Sequence, residues 1–210
     1  ELRARGIPLL MDGAHAAGQG PLSLSHYDVW VGSAHKWLGA PNGTGWLYCS
    51  QPWQEKITPV NIGDRFFNGG QSALSRLEWR GTMDTVKLLG LTSACRLFLS
   101  LGEQAVAARQ MELTEYLRNG LAELALNVGR KIEIKTPATT GETSGMLTFI
   151  LLPGQSRCPS LLHYLWEEHK IWAQPDFFYG KEGDGLRISC HIMNTESELE
   201  RLLEALSRVF

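Results

Sequence analysis

Lys36 lies between two apolar runs in the stretch Asp28–Tyr48, DVWVGSAHKWLGAPNGTGWLY. An unpaired ammonium is costly to bury, so a lysine placed there either reaches water or serves a site that uses its free amine. Amines of that kind form Schiff bases with carbonyl compounds. A surface lysine in a hairpin loop is the plainer reading. Upstream, Ile7–Met11 is a short continuous apolar run that ends in Asp12 and the small-residue turn Gly13–Gly18. Such a run reads as a buried, parallel strand. Asp12 then sits at its carboxyl end, where open α/β sheets place ligands. A turn or cap aspartate is the alternative.

An acid and a lysine at the ends of successive core strands suit one cofactor in particular. In pyridoxal phosphate (PLP) chemistry a carboxylate holds the ring nitrogen's proton while a lysine carries the aldehyde.

Asp12-Gly13-Ala14-His15, His35-Lys36-Trp37 and Gly43-Thr44-Gly45-Trp46-Leu47-Tyr48 together resemble the class V aminotransferase family. That family is PLP-dependent and of fold type I. It includes isopenicillin N epimerases, cysteine desulfurases and C–S lyases. The resemblance implies an α/β fold, with part of a fold type I large domain over residues 1–126 and a smaller α+β carboxyl-terminal domain over 127–210. It makes Lys36 the aldimine lysine, Asp12 the partner of the pyridine nitrogen and His15 a donor to the cofactor's phenolic oxygen. Ser33, His35 and Thr82 become phosphate contacts, Thr82 by way of a neighbouring subunit. Desulfurases of the family usually carry glutamine at the place of His15, whereas epimerase-like members often carry histidine.

The resemblance recurs near the far end, in Leu186-Arg187-Ile188-Ser189 and Asn194-Thr195-Glu196-Ser197-Glu198. There it implies that Arg187 grips a substrate α-carboxylate through its planar fork. A solvated strand arginine is the plainer reading. Met193 stands where the family usually has tyrosine. For Thr82 the alternative is a helix-start region, with Asp84 suited to cap it. His15 and His35 could instead bind a metal, but no third ligand with sensible spacing accompanies them.

The implied activity is formation of a lysine aldimine and deprotonation of Cα in an amino acid or amino-acid conjugate. Epimerase or C–S lyase chemistry leads. A desulfurase, an aminotransferase, or a non-catalytic fragment serving as an interaction domain are the rivals. Desulfurases carry a nucleophilic cysteine before the arginine, and Gln174–Asp184 holds none. Cys190, after Arg187, reads as packing. The family's glycine-rich phosphate loop is not in the chain either. Relatives run to about twice this length, so a further amino-terminal half is expected in cis or as a second chain, within a homodimer of shared sites.

Composition agrees with this reading. The chain has 210 residues and a formal net charge of −2. It has no basic run and no apolar stretch of the roughly 18 residues a span needs, so neither nucleic acid nor membrane is expected as a partner. Four scattered cysteines without a paired motif suggest free thiols in a cytoplasmic, reducing setting. The seven tryptophans are expected to fill core or dimer contacts.

The elements that position these residues follow from periodicity. Strands are expected over 7–12, 28–33 and 44–49, and an irregular stretch over 51–79. Helices are expected over Thr85–Leu101, broken by Gly102, and over Glu103–Leu126, with Leu113, Leu117, Leu121 and Leu124 on one face. Beyond them, strands are expected over 131–135, 146–152, 171–173 and 185–191. A helix over 160–169 follows the second of these, and a capping-box pattern at Thr195–Glu198 opens a last helix.

Overall fold

A computed structural model describes residues 2–60, 62, 73–78, 82, 84–138, 144–151, 161–175 and 184–209. The chain divides into two compact units, Glu1–Glu103 and Gln104–Phe210.

The first unit holds a three-stranded sheet in the order β1-β2-β3, with β1 Leu10–Asp12, β2 Val29–Ser33 and β3 Gly45–Cys49. β1 runs parallel to β2, with Asp12 opposite Val31. β2 and β3 are antiparallel, with Ser33 opposite Gly45. The mixed α/β character matches the expectation. The burial expected of the first strand does not hold, since Leu10 is 68% exposed and Ile7 is also exposed. β1 lies at the sheet's edge, and no described element covers its outer side chains. β2 is the core strand, with Val29 and Trp30 buried.

The helices of this unit are α1 Gln51–Gln54, α2 Ala73–Glu78 and α3 Thr85–Leu101. α2 falls inside the stretch expected to be irregular. α3 begins where Asp84 accepts hydrogen bonds from the backbone N–H groups of Val86 and Lys87 at 3.1 and 3.4 Å. It ends at Gly102, whose φ of 87° suits a residue without Cβ. The span is as expected. No residue of α3 is buried, and Val86, Leu89, Leu97 and Leu99 are all exposed.

The second unit packs α4 Glu103–Val128, α5 Leu161–His169 and α6 Glu196–Ser207 with an antiparallel sheet. Its strands are β4 Ile132–Ile134, β5 Met146–Leu151, β6 Gln174–Pro175 and β7 Asp184–Ser189, in the order β4-β5-β7-β6. α4 thus groups with this unit, where the sequence reading put the boundary after residue 126. Its buried residues Val106, Gln110, Leu113, Thr114, Leu117, Leu121 and Leu124 recur every three or four positions and so form one stripe. Of these, Leu113, Leu117, Leu121 and Leu124 share the core with Leu147, Phe149, Leu186, Leu202 and Leu206. The strand expected at 171–173 instead lies at Gln174–Pro175, on the sheet's edge, where proline's missing N–H is tolerated.

Among the described residues no single helix is long and apolar enough to cross a membrane.

Candidate active site

Parallel pairing of β1 and β2 puts the carboxyl ends of both strands at one edge of the sheet. The turn after β1 is pinned there, because the N–H of Gly13 donates to the carbonyl of Val31 at 2.8 Å. Asp12 Oδ1 accepts from Ala14 N–H at 2.9 Å, which folds the turn back on itself. Asp12 is exposed, and its second oxygen has no partner among the described residues.

The turn is narrow because Trp30 demands it. A Cβ at Gly13 or at Gly32 would strike the Trp30 ring, so glycine at both places leaves room for the buried indole.

His15 and Lys36, 21 positions apart, meet at this edge. Lys36 Nζ lies 3.2 Å from His15 Nε2. The indole N–H of Trp37 donates to His15 Nδ1 at 3.1 Å. Lys36 is exposed and has no carboxylate partner among the described residues. Trp37 is buried. Trp37 stands in the His35-Lys36-Trp37 motif, but its role is not legible there because its partner lies 22 residues away.

Ser33 closes β2 and is half-buried, and its hydroxyl has no partner among the described residues. His35 Nδ1 lies 3.0 Å from the carbonyl oxygen of Thr44. A carbonyl can only accept, so that nitrogen carries the proton and only Nε2 is left to face a ligand. Thr44, itself buried, is anchored by its hydroxyl donating to Pro41 O at 2.6 Å. Thr82 is exposed, and no described hydrogen bond links it to Lys36 or Asp12. The capping considered as an alternative there is done by Asp84.

Arg187 lies on β7, in the second unit, opposite Thr148 and Gln174. Its Nε is buried without a hydrogen-bond partner. A buried guanidinium N–H left unpaired is costly and calls for an acceptor. The residue borders a cavity of ≈ 360 Å³ that Trp172, Asn194, Glu198 and Arg201 also line. The Asn194-Thr195…Glu198 motif has a structural role. Glu198 Oε2 accepts from Thr195 N–H at 2.9 Å and from the Asn194 amide at 3.2 Å. Those bonds hold its carboxyl below the usual range.

Cys190 is fully buried, and burial pushes its thiol up to about 11. It therefore behaves as packing, as the sequence reading expected. Residues 176–183, within the stretch Gln174–Asp184 discussed above, lie outside the described residues. Among the described residues no group of three His, Cys, Asp or Glu side chains is placed to hold a metal.

The family described as "Aminotransferase class-V" matches residues 1–202. This chain belongs to the class-V aminotransferase family. It is 36% identical to an isopenicillin N epimerase of Streptomyces clavuligerus, over 98% of this chain and 54% of the relative. It is 30% identical to a probable cysteine desulfurase of Chlamydia muridarum, over 97% of this chain and 52% of the relative. The fold matches a mutant of the cystine C–S lyase C-DES with glycine covalently linked to its PLP cofactor. There the TM-score is 0.80 at 24% identity, over 97% of this chain and 52% of that one. The architecture is thus that of PLP fold type I, and PLP is the cofactor of the family. The chain spans about half the length of the curated relatives it matches.

The donor set fits that cofactor. An exposed amine, an exposed carboxylate with a spare oxygen, an imidazole and an unpartnered hydroxyl are brought to one sheet edge by two adjacent parallel strands.

Proposed function

We propose that the chain carries the lysine-bearing part of a PLP-dependent enzyme that removes a proton from Cα of an amino acid or amino-acid conjugate. Epimerisation or C–S cleavage would follow. The observation that carries this reading is the contact of Lys36 Nζ with His15 Nε2 at the carboxyl ends of β1 and β2.

When bound, PLP supplies an electron sink for the pair left at Cα when its proton departs. Lys36 would hold the cofactor covalently through Nζ. Its amine, released when the substrate binds, would take the Cα proton and return it. His15 stands within hydrogen-bond reach of that nitrogen and would keep it aimed. Asp12 would hold a proton on the ring nitrogen with its spare oxygen. Ser33 and His35 would bind the phosphate, and Thr82 would reach the phosphate of a second subunit. Arg187 would bind the substrate carboxylate, which would satisfy its buried, unpartnered Nε.

The apolar side chains that α3 and β1 leave exposed are consistent with cover from further polypeptide, either the counterpart of the relatives' other half or a second copy. The free, scattered thiols are consistent with the cytoplasm. Epimerase chemistry is favoured over desulfuration because Gln174–Asp184 holds no cysteine and because His15 stands where desulfurases of the family usually carry glutamine.

The test is to mix the chain with PLP, alone and with the counterpart of the relatives' other half. The visible absorption band is recorded, borohydride is added, and the modified residue is located by mass spectrometry. Label on Lys36 supports the proposal. No label on any lysine in either arrangement overturns it and leaves the interaction-domain reading.

A further inference from the structure

We propose that Trp37 is a positioning residue. Its indole N–H fixes His15 as the Nε2–H tautomer and thereby turns a hydrogen-bond donor toward the nitrogen of Lys36.

The argument is one of donor and acceptor polarity. An indole N–H can only donate. At 3.1 Å from it, His15 Nδ1 must accept, so Nδ1 carries no proton. A neutral imidazole then keeps its single proton on Nε2, the nitrogen 3.2 Å from Lys36 Nζ. An ammonium has three donors and no acceptor. Facing Nε2–H, it would set N–H against N–H, whereas an uncharged amine offers a lone pair and completes the bond. The amine is also the form that attacks a carbonyl carbon.

The surroundings leave this arrangement little freedom. Gly18, at φ +91°, is pressed against the backbone of Trp37 and Leu38, and a Cβ there would collide with both. That contact locks the turn bearing His15 onto the turn bearing Lys36. The side-chain amide of Gln19 also donates to the His15 carbonyl. Trp37 is 6% exposed, so water has little access to replace its N–H.

The catalytic consequence rests on the function proposed for Lys36, whereas the hydrogen-bond polarity does not. The test uses the full chain, 15N-labelled and free of PLP. Long-range 1H–15N correlations of His15, assigned by their loss in H15Q, should show an unprotonated Nδ1 and a protonated Nε2. In W37F, which keeps an aromatic ring but lacks the N–H, both nitrogens should move toward tautomer-averaged shifts. A protonated Nδ1 in the wild type, or a W37F spectrum identical to it, overturns the proposal.

A second arm measures trinitrobenzenesulfonate modification of Lys36 against exposed Lys56. It should slow about three- to tenfold in W37F and in H15F, the span one net hydrogen bond contributes. H15Q should restore it, because a carboxamide accepts through its oxygen and donates through its nitrogen. Equal rates in H15F and the wild type sink the idea, and H15Q against H15F decides the matter if W37F does not fold. Failure of PLP to label Lys36 would remove the proposed function yet leave the His15 spectra standing.

Discussion

The ring of Trp30 occupies the space that a side chain on Gly13 would need. Trp30 is fully buried and stacks near Trp46, with ring centroids 6.5 Å apart. The rigid indole and the turn holding Asp12 and His15 are therefore one packing unit. Gly13→Ala should cost about 1–3 kcal/mol through overpacking, read from urea unfolding. Gly39→Ala meets no atom within 4 Å and carries only the penalty of its positive φ. A Gly13→Ala cost that is undiminished in a Trp30→Leu background would refute the packing account.

Much of this was legible in the sequence for a physical reason. Leu113, Leu117, Leu121 and Leu124 repeat at helical period, and the helix they mark buries them. Asp84 and Gly102 bracket α3 with ordinary cap chemistry. What misled was the step from apolar to buried. Ile7–Met11 is hydrophobic enough for a core, but hydrophobicity records what a segment can bury and not what covers it. Contacts between residues far apart were also invisible. Trp37 meets His15 and Lys36 meets His15 only once β1 and β2 are paired.

The two kinds of apolar helix should respond differently to truncation. Leu121→Ala empties a fully buried position in the second unit's core and should destabilise by about 2–5 kcal/mol. Leu97→Ala, at an exposed site on α3, should change stability by no more than about 0.5 kcal/mol. Chemical denaturation of both variants as isolated chains checks this. A large loss for Leu97→Ala would mean that α3 is already covered in solution.

Arg109 grips Glu196 with both arms of its guanidinium, at 2.6 and 3.0 Å, tying α4 to the first turn of α6. The pair holds the Glu196 carboxyl down at about 2. A carboxyl depressed on folding contributes stability that is present above the ordinary value of 4.5. That contribution is lost as pH falls from there toward 2. Glu196→Gln should therefore flatten the acid limb of the stability–pH curve between about pH 4.5 and 2. Unchanged slopes in Glu196→Gln would show that the pair has no linkage to folding.

Cys190 offers a check on the desulfurase alternative. With its thiol pushed up to about 11, roughly one part in a thousand is thiolate at pH 8. Iodoacetamide should thus modify the half-exposed Cys95 in the native chain and spare Cys190 until urea is added. Mass spectrometry of the alkylated peptides reads the order. Rapid native alkylation of Cys190 would reopen persulfide chemistry at that position.

His35 should brace its loop through the Nδ1–H donated to the Thr44 carbonyl. His35→Ala removes that donor and should destabilise the chain by about 0.5–1.5 kcal/mol, read from urea unfolding. His35→Asn, whose side-chain amide can donate to a carbonyl, should recover part of the loss. A His35→Ala variant as stable as the wild type would show that the bond to Thr44 contributes nothing to folding.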